Sequence, residues 1–61
     1  MTKERFDGPT PHGGTYTMIY YLDGKRALTD KGKAVAAEIV EFDANDNQVW
    51  RTYMEIANDA G

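Results

Sequence analysis

TDKGKAVAAEIVEFD, residues 29–43, decides the fold. Read as a helix, it has Thr29 or Asp30 as a cap, Val35, Ile39 and Phe42 at i, i+4 and i+7, and alanines at 34, 36 and 37. Read as a strand, it has Gly32 breaking the start, the β-branched Val35, Ile39 and Val40, and Glu38, Val40 and Phe42 alternating on one side. The next residues favour the strand. DANDNQ, 43–48, carries the Asx side chains that tolerate left-handed backbone and close short hairpins, and VWRTYMEI, 49–56, repeats a strand pattern. The expectation is a short helical turn near 29–34, a strand at 35–43, a hairpin, and a strand at 47–56. The alternative is a β-α-β-type arrangement with a helix at 30–41 on a two-stranded sheet.

A three-residue loop, Ala44-Asn45-Asp46, sets an expected register. Val40 then lies opposite Trp50, Glu38 opposite Thr52 and Ala36 opposite Met54, while Ile39 meets Arg51 and Ala37 meets Tyr53 on the other side. Large side chains face small ones, as cross-strand packing favours.

Upstream, TYTMIYYLD, 15–23, is dense in aromatic and β-branched residues and reads as a strand at 15–22. Tyr16, Met18, Tyr20 and Leu22 share one face, and Thr17, Ile19 and Tyr21 the other. Asp23-Gly24 supplies a turn, since glycine adopts positive φ without penalty. The fold class is α+β and mainly β: a small antiparallel sheet of about three strands. Before it, DGPTPHGG, 7–14, holds both prolines, three of the six glycines and the only histidine. Residues 1–14 therefore read as a flexible leader, residues 15–58 as one small domain, and 59–61 as a tail.

A chain of 61 residues buries only about 60% of the surface it exposes when unfolded. Domains of this size need a staple. There is no cysteine, which excludes disulfides and thiolate metal sites, and a single histidine does not make a zinc or copper site. A second subunit is the staple left. Both expected sheet faces carry large apolar groups, and Tyr16, Met18, Tyr20, Val40, Trp50 and Met54 are the interface candidates. A homodimer is expected, with another protein as a further partner.

Other chemistries find little footing. Asp43, Asn45 and Asn47 match the opening of an EF-hand loop, but Gln48 and Met54 stand where that loop needs glycine and a bidentate glutamate. His12 beside Gly13-Gly14 raises the thought of an anion nest or a general base, yet the chain has no serine or cysteine as nucleophile, and the bland reading is a solvent-facing histidine in a leader. Glu38, Glu41, Asp43 and Glu55 lack a cleft that would split their pKa values. No catalytic residue, cofactor or metal site is expected.

Net charge is −3 and unevenly spread: residues 1–33 carry six cations against four acids, and residues 34–61 one cation against six acids. Direct nucleic-acid binding is not expected from so acidic a chain. No apolar run reaches the roughly 20 residues that span a bilayer, and MTKERFDG lacks a signal-peptide core, so a cytoplasmic location without membrane contact is expected. The functional expectation is a small non-enzymatic protein that self-associates through its sheet and acts by protein–protein interaction. The alternative is an acidic regulator or DNA mimic that blocks a basic surface on a nucleic-acid-binding protein.

Overall fold

Residues Ala36–Phe42 form a strand in the computed structural model, which describes residues 1–56. The helical alternative for 30–41 fails on its own residues. Only Lys31–Lys33 make a 3₁₀ turn, capped by the Asp30 carboxylate accepting the Gly32 N–H, and Ala34 is already extended. Val35, Ile39 and Val40 then suit the pleat.

Four strands form one antiparallel meander in the order β1 (Lys3–Asp7), β2 (Tyr16–Leu22), β3 (Ala36–Phe42), β4 (Gln48–Glu55). The expectation of about three strands is thus one short. The missing strand, KERFD, lies inside the stretch read as a leader. It pairs with β2 from Lys3 opposite Tyr20 to Asp7 opposite Tyr16. Four of its five side chains are charged, a composition that suits an exposed edge and carries no apolar alternation to announce it. The expected tail at 59–61 and the close of the expected 15–58 domain lie outside the described residues.

Two turns are built alike. In each, an aspartate accepts two backbone N–H groups: Asp23 those of Lys25 and Ala27, Asp43 those of Asn45 and Asn47. Each closes with an N–H to C=O bond between its first and fifth residues, Asp23 to Ala27 and Asp43 to Asn47. The positive φ falls on the fourth residue of each, Arg26 and Asp46, both at 64°. Gly24 therefore does not supply the left-handed residue that the sequence suggested. The aspartate side chain, holding both later amides, fixes the turn instead.

The β3–β4 hairpin has the expected three-residue loop, yet its register differs by one. Phe42 pairs with Gln48, but Glu41 pairs with Trp50, because Val49 is an extra residue forming a β-bulge. Trp50 consequently lies opposite Glu41 rather than Val40, Met54 opposite Ala37, and Tyr53 opposite Glu38. Since side chains alternate, this single residue moves β4 from Trp50 onward to the other face.

The two faces follow from the register. One, the loop face, carries Ile19, Tyr21, Ala37, Ile39, Glu41, Trp50 and Met54; the other, the arginine face, carries Arg5, Tyr16, Met18, Tyr20, Val40, Arg51 and Tyr53. No second sheet or long helix lies on either face among the described residues. The loop face is covered at one end by the 3₁₀ crossover, where Ala34 packs on Tyr21 and Ala37 with Ile19 and Ile56 at the margin. Tyr21 also donates to Glu4 (2.5 Å), which holds Lys31 at 2.9 Å. The arginine face is covered by its own long side chains. Arg5 lies 4.0 Å from the Tyr16 ring centre, Tyr16 stacks on Phe42, and Arg26 lies over Tyr53.

If Val49 alone sets the register, deleting it should leave Glu41 opposite Trp50. Deleting Thr52 should instead turn Tyr53 and Met54 to opposite faces. Cross-strand NMR contacts read both outcomes; loss of the Trp50–Glu41 pairing on deleting Val49 would contradict this reading of the bulge.

Candidate functional site

The bulge brings Trp50 to the side where the loop between β1 and β2 lies. Residues 8–14 fold back over the loop face and are pinned along their length. Gly8 N–H donates to Thr15, Thr10 N–H to Gly14, Gly13 N–H to Thr10, and Thr15 N–H to Phe42. Gly13 sits at φ +88°, a conformation strained for any side chain. Gly14 is glycine for space: a Cβ there would stand 2.7 Å from both the Phe42 carbonyl oxygen and Thr10 Oγ1. The glycines of DGPTPHGG are thus requirements of a docked loop.

Glu41 is the anchor. It is 3% exposed, the one charged residue among the buried side chains of the described residues. Its Oε1 accepts the His12 backbone N–H at 3.0 Å, and its Oε2 lies 2.7 Å from His12 Nδ1. Burial pushes the Glu41 carboxyl up, but hydrogen bonds from the Thr10 hydroxyl and from His12 outweigh it and hold the group below its ordinary 4.5. An ionised carboxylate only accepts, so Nδ1 carries the proton and Nε2 is the remaining ring nitrogen. The imidazole lies flat on Trp50, ring centres 4.0 Å apart and planes 6° apart. His12 is therefore held from two sides rather than carried in a flexible leader, while it remains exposed to solvent as the sequence suggested.

A carboxylate orienting an imidazole is also the supporting half of a catalytic triad, but the nucleophile is missing. The Thr10 hydroxyl in the same loop is engaged: its Oγ1 accepts the Gly14 N–H at 2.6 Å. The four groups form a clamp that docks the loop. No group of three or more metal-ligating side chains occurs among the described residues. The Asp43 carboxylate, first residue of the EF-hand-like run, is occupied by the turn amides.

On the arginine face, an open groove of about 440 Å³ is lined by Tyr20, Leu22, Arg26, Leu28, Glu38 and Arg51. Its central charges satisfy each other: Arg51 Nε lies 2.9 Å from Glu38 Oε1, with a second bond at 3.1 Å.

The six interface candidates do not share a surface. Tyr16, Met18, Tyr20 and Val40 lie on the arginine face, with Val40 buried and the other three half-buried. Trp50 and Met54 lie on the loop face, because of the bulge. Sequence reasoning missed the clamp. The available signal was Glu41, a lone carboxylate at the same strand parity as the apolar Ala37 and Ile39. Comparison with known proteins finds no matching family model, no matching curated relative and no matching solved structure.

Three outcomes follow from the clamp. Gly14→Ala should cost about 1–3 kcal/mol, since the contacting atoms include rigid backbone; an unchanged urea midpoint would contradict it. Trp50→Ala should cost about 2 kcal/mol, below the roughly 3–5 of a fully buried tryptophan, because Trp50 is half-buried. The Glu41 carboxylate is depressed in the fold, so its contribution is complete above 4.5 and is lost as pH falls through its lower folded value. Melting curves of the parent protein and Glu41→Gln should therefore diverge above pH 4.5 and converge on acidification; a constant difference down to pH 2 would exclude the assignment.

Proposed function

We propose that this chain is a small non-enzymatic protein that self-associates through its sheet and acts by protein–protein interaction, its first partner being a second copy of itself. The carrying observation is the single layer. Domains are built of at least two packed layers, and here no large side chain among the described residues is fully buried. Seven large apolar residues are exposed among those described. With no cysteine in the chain and no metal-ligating cluster among the described residues, a second subunit is the remaining way to raise the stability of so thin a core.

Catalysis draws no support from the one oriented histidine, since the groups around it are consumed in docking the loop. The alternative of an acidic regulator or DNA mimic is less supported. Glu38 is paired with Arg51, Glu41 is buried under His12 and Asp43 closes a turn, so few of the acidic side chains of the second half stand free as a phosphate-like array.

Sedimentation velocity across micromolar concentrations tests the proposal. The expected result is a mass of about twice 6.8 kDa that dissociates on dilution. A species of 6.8 kDa at every concentration contradicts it.

A further inference from the structure

The exposed apolar side chains are not spread evenly. Val49 (40%), Tyr53 (40%) and Met54 (47%) lie on β4, and Val35 (39%) lies beside its end, where its carbonyl accepts the Ile56 N–H. β4 is also an outer strand of the sheet, with a free edge. We propose that two copies of the chain pair antiparallel along β4, about a two-fold axis at Tyr53. This rests on the self-association proposed above and names its surface and register.

Three independent features converge on that axis. The first is hydrogen-bonding parity. Ile56 N–H points inward to Val35, so by the alternation of an antiparallel strand Met54 and Thr52 also point inward. Arg51, Tyr53 and Glu55 then turn their N–H and C=O groups outward. The second is length. The Val49 bulge ends regular pairing on one side, and on the other Ile56 is the last paired residue among those described. The regular edge is therefore 50–56, and its midpoint is Tyr53.

The third feature is charge. Centred on Tyr53, the pairing sets Arg51 opposite Glu55 of the second copy, and Glu55 opposite its Arg51. Tyr53 meets Tyr53, Thr52 meets Met54, and Trp50 meets Ile56. Centring on Arg51 instead would oppose two guanidinium groups, which is repulsive. Arg51 already holds Glu38 through Nε and one terminal nitrogen, and its fork has further donors for a second carboxylate. A two-fold axis requires such self-complementarity, and β4 supplies it. The other outer strand, β1, is worse placed: paired about its centre it would oppose Arg5 to Arg5 on a five-residue edge crowded with charge.

The chain lacks cysteine, so single introduced cysteines report the geometry. In the proposed pair the two Tyr53 Cα atoms are about 5.5 Å apart, within disulfide range. Tyr53→Cys should oxidise to a linked dimer, whereas Met18→Cys, central on the arginine face, should not. Independently, Glu55→Arg should weaken the dimer about tenfold, because each copy then opposes two cations, while Lys3→Glu on the far edge leaves it unchanged. This arm also decides the matter should Tyr53→Cys not fold. Linkage through Met18→Cys in a chain that sediments as a dimer, or indifference of that dimer to Glu55→Arg, would overturn the edge while self-association stands. A monomer at every concentration would overturn both.

Discussion

Val49 is one residue more than the β3–β4 ladder has room for, and the organisation of the molecule turns on where that surplus goes. Absorbed as a bulge, it places Trp50 beside Glu41 and so gives the loop at 8–14 a flat indole and a buried carboxylate to dock on. The same bulge puts Arg51 and Tyr53 with Tyr16 and Tyr20, where Arg51 meets Glu38 and Tyr53 takes Arg26 on its ring. It also ends the regular edge of β4. A period-two structure converts a single inserted residue into a change of face for everything beyond it.

A sheet of four strands without a second layer has to find cover elsewhere. Here the connections provide part of it. The 3₁₀ crossover closes over Tyr21 and Ala37, and the clamped loop over Glu41 and Trp50, both on one face. The opposite face uses the hydrocarbon stems and planar heads of arginines laid on aromatic rings. Such cover is thin. Ala36, Ala37 and Ala34 are the most completely buried apolar residues, and small side chains contribute little transfer free energy. Three carboxylates of the acidic half are likewise tied up: Asp43 closes a turn, Glu41 anchors a loop and Glu38 holds an arginine.

Much of this was legible in the sequence. The aromatic and β-branched runs gave β2 and β4, and the Asx cluster gave the hairpin with its loop length. The choice of strand over helix for 36–42 rested on β-branching that the pleat rewards. What stayed hidden has physical reasons. β1 is an edge strand of charged residues, so no apolar face had to be written into it. A bulge leaves no mark in composition, because Val49 suits a regular strand equally well. Gly24 looked like the left-handed residue of its turn, yet the aspartate bonds shift that demand to Arg26. Two of the six interface candidates changed face with the bulge, and Glu41 looked like one more surface carboxylate until its partners, 29 residues away, were in place.

Three of the exposed apolar residues, Val49, Tyr53 and Met54, meet the unpaired backbone groups and the opposed charges of Arg51 and Glu55 on β4, and self-association stands on that strand edge. Amide hydrogen exchange measured by NMR at two protein concentrations tests it most directly. Thr52 and Met54, bonded to β3, should exchange slowly at both concentrations, while Arg51, Tyr53 and Glu55 should exchange fast when dilute and slow when concentrated. Fast exchange at Tyr53 under conditions where the protein sediments as a dimer would contradict it.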